Sequence, residues 1–288
     1  MSALRIAAVQ MDVVLGDRTA NLARILAAID EAGQRRVGLA VFPECAISGY
    51  CFASREEALA AAEPVPGPAT ERLEAACRAH SCVVVVGLVE AQGEALYNSA
   101  VVVGPHGLIG GYRKSHLPFL GLDRFVQPGA GPLEPFDTPA ARLGVGICYD
   151  GSFPEVSRTL KLRGAQLIAL PTNWPEGAEV SAEHHAATRS HENHLFFMAV
   201  NRIGTERGFR FIGRSRITDC HGRVLAAATG DEPALLLAEI DPAAADRNRV
   251  VIRPGEYELD RVGDRRPELY GPLLDPVGGA GAAGSHRS

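Results

Sequence analysis

Several features that would assign a sequence to a class at sight are missing from these 288 residues. No apolar run approaches the ~20 residues a membrane-spanning helix needs. Met1 to Arg5 carries one charge and passes into an alternating stretch, so no secretory signal is expected at the start. Lys/Arg runs are absent and the formal charge is −5, which argues against nucleic acid, a ligand that demands clustered positive charge. Gly144 and Gly146 lack the third glycine and the helix-opening context of a phosphate-binding loop, and no Gly-x-Ser-x-Gly elbow occurs. His191-Glu192-Asn193-His194 has one residue between the Glu and the second His, where a zinc helix has two. His184, His185, His191 and His194 therefore read as solvated or hydrogen-bonded side chains. No repeat of solenoid period appears.

Six cysteines are present: Cys45, Cys51, Cys77, Cys82, Cys148 and Cys220. In a chain of this length without a leader, free thiols in a reducing cytoplasm are the expectation. Cys77 and Cys82 are spaced too widely for a Cys-x-x-Cys pair.

Apolar residues make up 46% of the chain and charged residues 22%, enough to bury a large core. Leu4 to Met11 and Val37 to Phe42 read as strands. Between them Leu22, Ile25, Leu26 and Ile29 recur at helical spacing behind Asp17 or Thr19 as caps. The spacing predicts further helices at 70–79, 154–163 and 178–194. Strands are expected at 82–89, 143–147, 166–170, 196–201 and 235–240, with a hairpin of 99–103 and 108–112 around Pro105-His106-Gly107. Phe211 to Thr218 should pair with Arg223 to Ala228. Helices join some strands and hairpins join others, so the expected fold is α/β with mixed sheets. No Pro/Gly-rich linker divides it, giving one domain over 1–275. A Gly/Ala-rich tail over 276–288 should be frayed.

Three strands end in reactive side chains: Phe42-Pro43-Glu44, Tyr112-Arg113-Lys114 and Gly146-Ile147-Cys148. Cysteine attack on a carbonyl needs the thiolate, since that form is the nucleophile. It also needs a carboxylate to carry the proton to the leaving amine, and a cation or N–H pair to meet the oxyanion. Glu44, Lys114 and Cys148 can supply these roles if the fold brings them together. Taken singly, a Cys after an apolar strand is more often inert core, a Glu after Phe-Pro can be a loop cap, and a Lys beside an Arg is usually solvated.

The segments together resemble the nitrilase superfamily of carbon–nitrogen hydrolases, from about Ile6 to Tyr270. The motifs are Phe42-Pro43-Glu44 with Gly49-Tyr50, Tyr112 to Pro118, Gly146 to Asp150 with Phe153-Pro154-Glu155, Pro171 to Pro175, Glu192-Asn193, Ala199 to Arg202, and Gly213 to Ser215. The resemblance implies a four-layer αββα sandwich with Glu44, Lys114 and Cys148 as triad. Lys114 and the Tyr149 backbone N–H would hold the oxyanion of a reaction that passes through a thioester. It also implies no metal or organic cofactor, and a homodimer or larger homo-oligomer.

One departure matters. Many members carry a second glutamate between the Lys and Cys motifs, whereas Phe119 to Phe125 offers only Asp123 here. Asp123 either substitutes for it or is a surface residue paired with Arg124. Tyr149-Asp150 after the cysteine looks more like the amidase and carbamoylase branches than the Trp-Glu of nitrilases. The expected reaction is hydrolysis of a small amide. N-carbamoyl amine hydrolysis comes next, then nitrile hydrolysis, and an acyltransferase or a non-catalytic relative stays open. Tyr50, Phe119, Tyr149, Asn173 and Trp174 are candidate pocket walls, with plain packing as the alternative for each.

Overall fold

The computed structural model describes residues 3–276. The chain divides into two compact units, Met1–Arg247 and Asn248–Ser288, where the sequence suggested one domain over 1–275. The Gly/Ala-rich tail lies outside the described residues from 277 onward.

The first unit runs β1 (Leu4–Gln10), α1 (Arg18–Gln34), β2 (Leu39–Val41), α2 (Arg55–Ala60), α3 (Pro68–His80), β3 (Val83–Gln92), β4 (Ala95–Gly104) and β5 (Gly107–Arg113). It continues with β6 (Phe136–Asp137), β7 (Arg142–Val145), α4 (Pro154–Leu162), β8 (Leu167–Thr172), α5 (Glu179–Asn193) and β9 (Phe196–Asn201). The last strands are β10 (Ile203–Glu206), β11 (Phe209–Ile212), β12 (Arg216–Thr218), β13 (Val224–Ala227) and β14 (Ala234–Ile240). The second unit holds a hairpin of β15 (Val250–Arg253) and β16 (Tyr257–Leu259).

Two six-stranded sheets form, in the orders β14-β1-β2-β3-β4-β5 and β13-β12-β9-β8-β7-β6. In each, three central strands are parallel, β1–β2–β3 and β7–β8–β9, and antiparallel strands flank them. Strand alternation sets the layers, because successive side chains point to opposite faces. Ile6, Ala8, Val83, Val85, Ala100 and Val102 join a core shared with Leu143, Val145 and Phe197 of the other sheet. Their neighbours Ala7, Val9, Val84, Val86, Val101 and Val103 pack instead on Ile25, Ile29 and Leu73 of α1 and α3. On the far side, Val156 and Leu160 of α4 and Ala182 and Ala186 of α5 cover the second sheet. The result is helices, sheet, sheet, helices: the αββα sandwich expected. Asp17 caps α1 through a 2.9 Å bond from the Ala20 N–H.

One expected strand is broken. Phe211 to Thr218 splits into β11, which pairs with β10, and β12, which pairs with β9 and β13. Gly213 and Arg214 between them both have positive φ, 60° and 59°, which no strand accommodates. The resulting β10–β11 hairpin was not foreseen.

Candidate active site

Glu44 lies just past β2, in a stretch seated directly on β3. A Cβ on Gly87 would come within 2.3 Å of the Cys45 N and 2.6 Å of the Pro43 O, so only glycine lets the two backbones approach this closely. Lys114 extends β5 by one residue, its N–H bonded to the Asn98 carbonyl at 2.8 Å. Cys148 opens the 3₁₀ turn Cys148–Ser152 after β7 with φ of 47°. A non-glycine residue held in that region stores strain that the surroundings must maintain. The glutamate and lysine come from the first sheet and the cysteine from the second.

Glu44 and Lys114 are sealed from solvent, with fully buried side chains. Lys114 Nζ donates to Glu44 Oε1 at 2.7 Å and to Asp123 Oδ2 at 2.6 Å. Asn98 Nδ2 donates to the same two carboxylates, at 2.7 and 2.9 Å. Tyr50 O–H donates to Asp123 Oδ2 at 2.8 Å. Among the described residues Glu44 Oε2 has no hydrogen-bond partner, so one carboxylate oxygen stands free to accept a proton.

Asp123 is therefore no surface acid. It is 4% exposed, while Arg124 bonds backbone carbonyls of Gly121 and Phe52 instead. Its short side chain reaches Lys114 because the 3₁₀ turn Gly121–Arg124 approaches closely. Gly121 at φ 49° lies so near the Tyr50 ring that a Cβ would stand 2.6 Å from it.

The electrostatics follow from burial. Desolvation raises the Glu44 carboxyl above its ordinary 4.5, with Lys114 opposing and Asp123 reinforcing. Desolvation, then the Glu44 charge, pushes the Cys148 thiol well above 9.0, against the pull of Lys114 and of an N–H bond from the Asn173 backbone. Burial disfavours the Lys114 ammonium, yet Glu44 and Asp123 outweigh it and hold its pKa well above 10.5. Burial thus favours the protonated thiol, and the two acids favour the cation that stands between them.

The candidate pocket walls are placed unevenly. Tyr50 is buried and serves Asp123 and the Leu120 carbonyl. Trp174 is 4% exposed within the core between the sheets, its ring edge-on to His185. Asn173 is buried, and neither polar atom of its side chain has a partner. Tyr149 is half-exposed, and Phe119 is 85% exposed. Phe119 lines a cavity of about 330 Å³ with Phe52, Leu120, Arg124 and Phe209, and the cavity's lining does not include Glu44, Lys114 or Cys148.

Asn98 was missed in the sequence. Its only sign there is a polar pair, Asn98-Ser99, ahead of the apolar run Ala100 to Val103. All six cysteines are free thiols. Among the described residues no group of three or more His, Cys, Asp or Glu is placed to hold a metal, and no helix is long and apolar enough to cross a membrane.

A cysteine-bearing turn at the end of a parallel strand, facing a buried carboxylate and ammonium across an αββα sandwich, fits a thiol-type carbon–nitrogen hydrolase. The Carbon-nitrogen hydrolase family model matches residues 5–249, and the chain belongs to that family, within the nitrilase superfamily. It is 37% identical over 269 residues to a nitrilase of Pyrococcus abyssi, covering 93% of this chain and 99% of that one. It is 34% identical over 264 residues to an (R)-stereoselective amidase of Pseudomonas, covering 90% and 91%, and 31% identical over 280 residues to N-carbamoylputrescine amidase of Solanum lycopersicum, also covering 90% and 91%. A double mutant of the amidase from Nesterenkonia sp. AN1, solved in complex with acrylamide, superposes with a TM-score of 0.79 at 26% identity, covering 95% of this chain and 98% of that one.

Proposed function

We propose that this enzyme hydrolyses a small amide to its acid and ammonia, with Cys148 as nucleophile, Glu44 as proton carrier and Lys114 as oxyanion cation. The carrying observation is the unpartnered Glu44 Oε2 in a site where Oε1 is already fixed by Lys114 and Asn98. As Cys148 Sγ attacks the carbonyl carbon, its proton passes to Glu44, which avoids forming a free thiolate in a site that disfavours one. Lys114 Nζ and the Tyr149 N–H meet the oxyanion. Glu44 then protonates the departing amine, leaving a thioester. Water deprotonated by Glu44 attacks that thioester, and collapse releases the acid and restores the thiol. Asp123 and Asn98 act through Lys114 and Glu44, and Asp123 substitutes for the family's second glutamate. In a solved relative, a mutant of the Nesterenkonia amidase, the acetamide moiety of fluoroacetamide is added covalently at the active-site cysteine, which supports Cys148.

Hydrolysis of an N-carbamoyl amine is the second reading, favoured by the similarity to N-carbamoylputrescine amidase. We infer a homodimer, for which exposed apolar side chains such as Ile252, Leu273 and Leu274 of the second unit are suited. A reducing cytoplasm fits the six free thiols. The test is ammonia release from a panel of small amides, N-carbamoyl amines and nitriles beside Cys148→Ala. Release from amides alone, abolished in the variant, is expected. Release by Cys148→Ala at the wild-type rate would end the assignment.

A further inference from the structure

The triad draws on two sheets, so something must hold Lys114 and Cys148 in register across the interface. Their own contacts do not explain it. Lys114 is tied to Glu44 and Asp123, neither of them part of the second sheet, and Cys148 sits on a strained turn of that sheet.

Asp150 is the group that spans the gap. Its side chain is fully buried and accepts four hydrogen bonds, two on each oxygen. Oδ2 takes the Ile147 N–H at 2.9 Å and the Tyr112 O–H at 2.8 Å. Oδ1 takes the His116 N–H at 3.0 Å and lies 2.7 Å from His116 Nδ1, which donates its proton there. Ile147 and Asp150 bracket Cys148 in sequence, while Tyr112 and His116 bracket Lys114. One carboxylate thus grips the turn carrying the nucleophile and, on both sides, the segment carrying the cation. Four donors fill its lone pairs, so it has no capacity left for proton transfer of its own. Burial and the Asp150 charge keep the Tyr112 phenol protonated as a donor. His116 is braced from the other side by stacking on Phe153 at 3.8 Å between ring centroids, and Phe153 ends the same turn.

We propose that Asp150 is a positioning residue for the hydrolysis, fixing Lys114 relative to Cys148 through Tyr112 and His116. The inference rests on the triad reading above. A carboxylate is required because all four partners are donors. An amide at this position would turn its N–H₂ toward one of them and leave that bond unmade. Small displacements of catalytic groups are costly: about 1 Å can lower a rate by ~10²-fold.

The test compares Asp150→Asn, Tyr112→Phe, His116→Ala and His116→Asn, with kcat expressed per folded molecule, the folded fraction being read from near-UV circular dichroism. Asp150→Asn should lower kcat by ~10²-fold with KM within about threefold. His116→Ala should lower it by about tenfold, and His116→Asn, whose amide N–H sits near the place of Nδ1, should recover most of that loss. Tyr112→Phe, which removes one donor of four, should fall between wild type and Asp150→Asn. The alkylation rate of Cys148 by iodoacetamide should shift in the same order. A merely structural role would lower melting temperature in all four variants while leaving kcat per folded molecule unchanged and without recovery by His116→Asn; that result overturns the proposal. Because Cys148→Ala is assayed in parallel, its inactivity beside unaffected Asp150, Tyr112 and His116 variants would sink this inference alone. Activity in Cys148→Ala would sink the triad reading beneath it.

Discussion

The two ends of the site are built on opposite principles. At one end, Glu44, Lys114, Asp123, Asn98 and Tyr50 form a sealed cage in which every charge has a partner and only Glu44 Oε2 is open. At the other, Tyr149 is half-exposed and Phe119 almost wholly so. A buried ion pair is kept only where geometry is excellent, because desolvating two charges costs several kcal/mol per ion. The cage therefore tolerates no change, while an exposed rim of aromatic side chains can vary at little cost to stability. On the proposed function, chemistry would be set at the first end, and the exposed second end is where substrate choice would be sought.

That contrast can be broken or sharpened experimentally, beginning with the largest effect. Glu44→Gln should lower kcat by ~10²–10⁴-fold, since the amide cannot carry the proton. A Glu44→Gln enzyme within tenfold of wild type would dissolve the distinction between the two ends. Lys114→Met removes the cation and should cost at least ~10²–10³-fold in kcat. It also leaves two buried carboxylates without a counter-charge, so denaturant titration should show a loss of about 3–5 kcal/mol. Asp123→Asn should reduce kcat by ~10²-fold through misplacement of Lys114. Phe119→Ala should change KM by a few-fold and leave kcat alone, and an equal fall in kcat would place Phe119 in the cage's company.

The pH dependence follows the same division. Hydrolysis needs Glu44 ionised, and burial raises its carboxyl above 4.5, so kcat/KM should fall as pH drops through a value above 4.5. Lys114 stays charged throughout the neutral range and contributes no alkaline limb there. Cys148 alkylation in the free enzyme should rise only above pH 9, because the thiol is held protonated. A thiolate titrating near pH 7 would contradict this electrostatic picture.

Much of the cage was legible in the sequence, though not why it closes. Glu44, Lys114 and Cys148 could be named because each ends an apolar strand and the motifs around them resemble a known family. Glu44 and Lys114, 70 positions apart, meet within the first sheet, whereas the Lys114 and Cys148 segments meet only because the two sheets stack face to face, as across the 34 positions from His116 to Asp150; periodicity expresses neither relation. Asn98 acquires its role only from lying opposite the Lys114 segment on β4 and beneath Glu44. Asp123 could be read as exposed or buried until the Gly121 turn was seen against Tyr50. Strand periods resolved well where the core is two-sided, as in β3 and β9. They failed at Gly213-Arg214, where consecutive positive φ values turn the chain between apolar runs. Trp174, attractive as a pocket wall because it follows a strand end, is held as core by Asn201, which bonds both its backbone N–H and its carbonyl.

The most direct test of the account is mass spectrometry of the enzyme quenched in acid during turnover of a small amide. A species heavier by the acyl group, located to the peptide containing Cys148 and absent in Cys148→Ala, is the predicted result. Acyl transfer to another residue, or undiminished turnover by Cys148→Ala, would contradict it.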